Sequence, residues 1–316
     1  MRTRTLIAGR GVQGLKRQKF CGNDFFCFVD PYSDLADFKR IEDVPIDDYD
    51  LVLGCIPDEP KGNFLKYCLK NGKHVLIEKP LWLIEDSLFE DLERISKKNG
   101  AVCYTAYNHR FEPHFVRMKN LIDSGDLGKI YRCRMFYGNG TARLVRESKW
   151  RDSGSGVLPD LGSHLIDTVN FWLGEQIKSS NWKIFSANNF ENKSPDHVVI
   201  GNQTNSISVE LEMTMLMWRN HFSCDILAEK GSAHIESLCK WGPSKFVYRK
   251  RKLPSGRPDE IQEVIVQDDP TWSKEYAFFK NLAKSSRGSD LSWDREIYRV
   301  LSGLENDLKT MADGNE

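Results

Sequence analysis

The sequence predicts a parallel α/β domain followed by an α+β domain built on a large, mostly antiparallel sheet. Three observations carry this reading: short apolar runs alternate with helix-like polar stretches over the first third of the chain, the rhythm changes after Arg110, and a succession of β-rich runs follows.

The first third has apolar runs at residues 5–8, 25–29, 50–55, 74–77 and 101–106, spaced as strands joined by crossovers. Between them, 61–71 and 87–99 carry apolar residues at helical spacing (Phe64, Leu65, Cys68, Leu69; Leu88, Leu92, Ile95). Each closes on an Asn-Gly pair that reads as a helix stop. Beyond Arg110 the pattern predicts a helix at 115–124, a strand at 130–137, a glycine-rich loop and a helix at about 160–173. Strands follow at 196–201, 206–213, 222–228, 233–236, 245–250 and 260–266, and helices at about 273–284 and 293–311 close the chain. Turn residues such as Glu229-Lys230-Gly231-Ser232 and Pro254-Ser255-Gly256 join the strands. A chain of 316 residues exceeds what one core usually supports, so two domains are expected, 1–110 and 111–316, with the C-terminal helices free to pack back on the first.

Apolar residues make up 40% of the chain and charged residues 28%, which suits a globular domain with an ordinary wet surface. The 45 basic and 45 acidic side chains cancel, removing the positive field that nucleic-acid binding needs and favouring a small-molecule partner. The run Arg249-Lys250-Arg251-Lys252 reads as part of an exposed hairpin. The apolar run Leu6-Ile7-Ala8 is too short for a signal peptide or a membrane span, so a cytoplasmic protein is expected. The eight cysteines form no Cys-x-x-Cys pair and read as reduced, mostly buried thiols.

Gly9-Arg10-Gly11-Val12-Gln13-Gly14 follows a strand and opens a short polar stretch, the context in which Gly-x-Gly-x-x-Gly becomes a dinucleotide fingerprint. Glycines there permit a tight turn and a close approach of pyrophosphate to a helix N-terminus, which makes a Rossmann-type domain the expectation. Asp30 ends the second strand about 20 residues on, where a carboxylate accepts hydrogen bonds from the adenosine ribose and repels a 2′-phosphate. Pro31-Tyr32-Ser33 brings no arginine, so NAD is favoured over NADP. Asp30 as the start of an Asp-Pro turn is the alternative.

Glu78-Lys79-Pro80 follows the strand at 74–77, at the carboxyl end where open α/β sheets bind ligands. Asp160 and His164 stand at i and i+4, one turn apart on a helix face. On spacing alone they read first as an N-terminal helix carboxylate and a satisfied core histidine. Asp160, His164 and Asp167 also have the spacing of three ligands on one face, but no cysteine or further histidine joins them, and no metal is expected.

The block from Asn71-Gly72-Lys73-His74 through Glu78-Lys79-Pro80-Leu81 resembles the signature of the Gfo/Idh/MocA oxidoreductases. So does Trp150-Arg151-Asp152 with Gly154-Ser155-Gly156 and the run from Pro159 to Asp167. With the glycine loop, Asn108-His109-Arg110-Phe111 and Pro195-Asp196-His197-Val198, the resemblance covers nearly the whole chain. It implies that Lys79 contacts the nicotinamide ribose and the substrate oxygen, that Asp160 positions substrate, and that His164 moves the proton. It further implies cofactor contacts from Gly9, Gly11, Val12, Gln13 and Gly14, from Asp30, Cys55, Pro57 and Glu78, and from Asn108, Trp150 and Arg151. By their place on the predicted strands, loops and domain junction, Asn108, Arg110 and Tyr137 are candidate substrate-lining residues beside the catalytic three. Homodimers or homotetramers are implied as well.

The implied chemistry is hydride exchange between a nicotinamide and a hydroxyl-bearing carbon of a sugar, sugar derivative or cyclic polyol. A cluster of Arg134, Arg143 and Arg219, with Asn220, would extend this to a sugar acid or nucleotide sugar. Competing readings are a non-catalytic NAD(H)-responsive binding protein, a recycling oxidoreductase with tightly held cofactor, and a reductase of imines or tetrapyrroles. Two departures from the family pattern stand out. Asp58-Glu59-Pro60-Lys61 occupies a loop where many members have an asparagine and a histidine, and the segments 15–23 and 33–43 are short.

Overall fold

A computed structural model describes residues 3–148, 151–174, 182–204, 206–285 and 287–313. The chain divides into two compact units, one formed by Met1–Asn108 with Pro270–Arg299 and the other by His109–Asp269 with Val300–Glu316.

In the first unit, β1 (Thr5–Ala8) leads into α1 (Val12–Cys21), followed by β2 (Phe25–Val29) and β3 (Leu51–Gly54). Then come α2 (Lys61–Lys70), β4 (His74–Ile77), α3 (Ser87–Asn99) and β5 (Cys103–Thr105). The strands pair in parallel in the order β2-β1-β3-β4-β5. β1 and β3 are buried along their whole length, because both faces of the sheet are covered. One core cluster joins Leu6, Val52, Val75 and Ile77 to Leu65, Leu69, Phe89 and Leu92 of α2 and α3. The opposite cluster joins Ile7, Leu53 and Leu76 to Tyr276 and Phe279. α3 stops where the Asn-Gly pair falls, with Gly100 in the left-handed region at φ 62 and its N–H donating to Ser96 O. The strand order reverses at β1, so the crevice for a ligand opens at the carboxyl ends of β1 and β3. Between β2 and β3 the described residues hold two 3₁₀ turns, Ile41–Asp43 and Ile46–Asp48, in place of a crossover helix. Phe38 bridges back to Val29 there, the structural form of the shortened segment.

The second unit runs through α4 (Pro113–Asp123), β6 (Ile130–Gly138), α5 (Ala142–Arg146), a π-helical turn (Leu158–Gly162) and α6 (Ser163–Leu173). Its strands continue with β7 (Trp182–Asn188), β8 (His197–Gln203), β9 (Ser208–Thr214) and β10 (His221–Ala228), then β11 (Gly231–Glu236), β12 (Ser244–Lys252) and β13 (Gly256–Ile265). They form one eight-stranded sheet, ordered β13-β12-β11-β10-β6-β9-β8-β7, antiparallel except where β6 runs parallel to β9. The last two helices are α7 (Thr271–Ser285) and α8 (Ser292–Asp313); residues to Arg299 belong to the first unit and the remainder to the second.

Three elements differ from expectation. β7 is an edge strand whose alternation is only half-buried, with Phe185 60% exposed, so it carried little periodic signal. The glycine-rich loop contains the short helix α5. The helix expected from 160 begins instead as the π turn, which widens the winding around Asp160 before regular helix resumes at Ser163. Arg249 pairs with Glu260 at 2.7 Å and Lys252 with Asp259 at 2.6 Å across the hairpin, so β13 supplies carboxylate partners for the basic run. No helix among the described residues is long and apolar enough to cross a membrane.

Candidate cofactor and catalytic site

The three glycines of the first loop do different work. Gly9 has φ 93, and a Cβ on it would strike the carbonyl of Cys55; one on Gly14 would strike the carbonyl of Gly9. The turn and the packing of α1 on β1 and β3 therefore both require glycine. A Cβ on Gly11 would meet nothing within 4 Å. Gly11 is the N-cap of α1, no side chain caps it, and Val12 at the first helical position is 84% exposed. An uncapped helix N-terminus behind an open glycine suits a pyrophosphate. Arg10 Nε, buried in the same loop, has no hydrogen-bond partner among the described residues.

Asp30 starts the turn after β2, the alternative reading made of it. Its Oδ2 accepts from Arg10 N at 2.7 Å, and its Oδ1 accepts from Tyr32 N at 2.8 Å and Ser33 N at 3.1 Å. It caps the turn after β2 and ties that turn to the glycine loop. Burial pushes its carboxyl up, but the three backbone donors prevail and hold it below its ordinary value. Oδ1 thus has both lone pairs engaged, while Oδ2, with one donor, keeps a site for a further hydroxyl.

At the end of β4, Glu78 bonds Arg17 Nε of α1 at 2.8 Å, and Arg17 also pairs with Glu275 at 2.5 Å. Burial disfavours the Arg17 charge, yet Glu78 and Glu275 outweigh it and raise its pKa. Glu78 thus links the strand end that presents Lys79 to the helix of the glycine loop. The Lys79–Pro80 peptide bond is cis. Cys55 is partly buried and Pro57 exposed at the end of β3. Asn108 is buried and donates to Thr271 Oγ1 at 2.8 Å. Lys61 is fully buried and donates to the carbonyls of Glu78 and Pro80.

In the second unit, His164 is 8% exposed on the first turn of α6. Its ring stacks on His109, 4.1 Å between centroids, and Tyr137 lies 5.4 Å from His109 and 6.2 Å from His164. Asp160 has Arg151 at 3.4 Å. Trp150 lies outside the described residues. Arg110 makes a two-nitrogen contact with Asp167, through Nε at 3.0–3.1 Å and a short bond from Nη2. Asp167 is fully buried; burial pushes its carboxyl up, and Arg110 only partly counters this. Arg110 is thereby tied to α6 through the Asp167 carboxylate.

Arg134, Arg143 and Arg219 are all exposed, which fits a reading of them as solvated faces. Arg134 pairs with Glu210 at 2.9 Å and Arg143 faces Glu147 at 3.8 Å, while Arg219 and Asn220 are exposed. Arg134 and Arg143 thus meet carboxylates of their own, which satisfies a charge at lower cost than gathering like charges. Sequence reasoning also missed Lys240 and Trp241. Lys240 Nζ lies 3.5 Å from Tyr137 Oη, and Trp241 lies 5.7 Å from the Tyr137 ring. Lys240 lines a cavity of about 500 Å³ with Asp268 and Asp269. No motif marks these residues, since only the loop after β11 brings them to Tyr137.

Residues 12–107 match the family description "Oxidoreductase family, NAD-binding Rossmann fold", and residues 115–234 match "GFO/IDH/MocA C-terminal domain". The chain is 28% identical over 145 residues to scyllo-inositol 2-dehydrogenase (NAD(+)) of Bacillus subtilis (strain 168), 45% of this chain and 40% of that protein. It is 33% identical over 103 residues to scyllo-inositol 2-dehydrogenase (NADP(+)) IolW of the same organism, 32% of this chain and 28% of that protein. The matched stretch therefore spans less than half the length of these curated relatives. Among solved structures, the fold is similar to an NAD binding oxidoreductase from Klebsiella pneumoniae (TM-score 0.78, 16% identity, 98% of each chain). It is also similar to levoglucosan dehydrogenase in complex with NADH (TM-score 0.76, 18% identity, 95% of this chain and 94% of that one). With both halves of the chain matched, in order, this protein belongs to the Gfo/Idh/MocA family of oxidoreductases.

Proposed function

We propose that the protein is an NAD(P)-dependent dehydrogenase or reductase acting on a CH–OH group of a sugar, sugar derivative or cyclic polyol. The observation that carries the reading is the Arg17–Glu78 pair, which couples the helix of the glycine loop to the strand end bearing Lys79. A nicotinamide, when bound, accepts or donates the hydride. Gly11, the N-terminus of α1 and Arg10 would hold the pyrophosphate, and Asp30 the adenosine ribose. In this reading His164 takes the substrate hydroxyl proton as general base, Lys79 stabilises the negative charge developing on that oxygen, and Asp160 positions the substrate. Reduction runs the same proton steps in reverse.

Asp30, with no arginine in the turn it caps, supports NAD over NADP. The names of the two Bacillus relatives and of levoglucosan dehydrogenase support a polyol or sugar substrate. We place the protein in the cytoplasm as a homodimer or homotetramer.

The test is to incubate the protein and its Lys79→Met variant with NAD and a panel of inositols, sugars, sugar acids and nucleotide sugars, following reduced nicotinamide by absorbance. Turnover by the parent alone supports the reading and names the substrate class. Equal turnover by both removes Lys79 from the chemistry. Silence from both, with NADH binding confirmed, turns the reading towards a non-catalytic NAD(H)-binding protein.

A further inference from the structure

Lys61 is 1% exposed, a rare position for a lysine. Its ammonium has three N–H donors, and the structure offers three acceptors: Glu78 O at 2.8 Å, Pro80 O at 2.6 Å and the Asp58 carboxylate at 2.5 Å. The two carbonyls belong to the residues immediately before and after Lys79. From the first turn of α2, this one side chain holds the peptide group entering Lys79 and the one leaving Pro80, while Asp58 at i−3 compensates its charge. The loop continues in the same geometry, with Trp82 N donating to Pro80 O at 2.9 Å.

The chemistry of the donor explains why lysine stands here. A neutral imidazole has one N–H to give and a primary amide two. Holding two carbonyls and a carboxylate at once takes a group with three donors. Burial lowers the Lys61 pKa and the Asp58 charge opposes this. Removing the ammonium would leave the Glu78 and Pro80 carbonyls without this donor.

We infer that Lys61 is the positioning residue for Lys79: a buried cation that sets the path of the backbone through Glu78, Lys79 and Pro80 and hence the direction in which the Lys79 amine projects. The consequence for binding rests on the cofactor reading above; the hold on the loop does not.

Hydrogen exchange followed by mass spectrometry on the full chain tests the hold directly. Lys61→Met is expected to accelerate exchange at residues 78–83 by about tenfold or more, leaving the other strands of the first unit unchanged. Lys61→Arg, which keeps charge and several donors, should restore much of the protection. Nicotinamide fluorescence should then show the NADH Kd of Lys61→Met rising by about tenfold, since a displaced contact group costs affinity and rate together. With a substrate from the panel, kcat should fall by about a hundredfold with KM changed far less. Parent-like exchange at 78–83 in a folded Lys61→Met protein overturns the inference. Should that variant fail to fold, Lys61→Gln decides on the same readout: faster exchange confined to 78–83 supports the inference, and unchanged exchange overturns it. A parent that binds no NADH sinks the cofactor reading, and the exchange data still decide whether Lys61 holds the loop.

Discussion

The imidazole rings of His109 and His164 lie stacked, their planes within 20° of each other. His109 is 2% exposed and also meets Phe115 edge-on at 5.9 Å, so the ring against which His164 leans is itself clamped. In the proposed mechanism, a neighbour that restricts the plane of the His164 ring favours proton transfer.

Replacing His164 by Asn should lower turnover by about 10²–10⁴-fold, the usual worth of a positioned general base. NADH affinity should change little, because the glycine loop lies elsewhere in the chain. His109→Ala should remove the stack and cost about 1–3 kcal/mol of stability in addition to activity. Steady-state kinetics, fluorescence titration and thermal denaturation check these in turn; parent-like turnover by His164→Asn would remove it from the mechanism.

The three glycines separate folding from binding. Gly9→Ala and Gly14→Ala both drive a Cβ into a backbone carbonyl and should destabilise the protein by about 2 kcal/mol or more. Gly11→Ala meets open space, so it should melt like the parent yet bind NADH at least several-fold more weakly. Melting curves and NADH titrations on the three variants give the comparison.

Asp30 has a depressed carboxyl pKa, so its bonds stabilise the fold fully above the unfolded value of about 4 and lose that contribution as pH falls through the lower folded value. Asp30→Ala should cost about 1–2 kcal/mol at neutral pH, with the difference from the parent shrinking only in strong acid. The same variant should shift the ratio of NADP to NAD affinity towards NADP, because the repelling charge is gone. Denaturant melts across pH and paired cofactor titrations measure both.

The Arg110–Asp167 pair predicts an asymmetry. Arg110→Met strands a fully buried carboxylate and should cost about 3–5 kcal/mol, whereas Asp167→Asn, which removes the charge itself, should cost less. Urea unfolding of the two variants tests the order; an equal or reversed cost would show that the pair is not what stabilises α6.

Much of this was legible in the chain because it is local. Gly9, Gly11 and Gly14 act within one turn, the strand before Lys79 is a continuous apolar run, and the Asn-Gly stop after α3 is a helix end written in two residues. The i, i+4 spacing of Asp160 and His164 was visible, but the π turn that carries Asp160 was not, since its residues differ little in type from those of an ordinary helix start. β7 escaped because an edge strand lacks the buried alternation by which strands are recognised.

By itself, then, the sequence determined the parallel and antiparallel halves, the glycine loop and the order of the motifs, all of which rest on periodicity and on contacts within a few residues. Only the tertiary structure decided that Lys61 grips the carbonyls of Glu78 and Pro80, that Arg110 is engaged with Asp167, and that His109 is the wall behind His164. Each of those relationships joins a side chain to a partner well apart in the chain. A lysine, an arginine or a histidine reads the same in sequence whether it faces water or a buried acceptor; packing of the surrounding sheet and helices brings the partner, and the cost of leaving a buried polar group unmet makes that partner necessary.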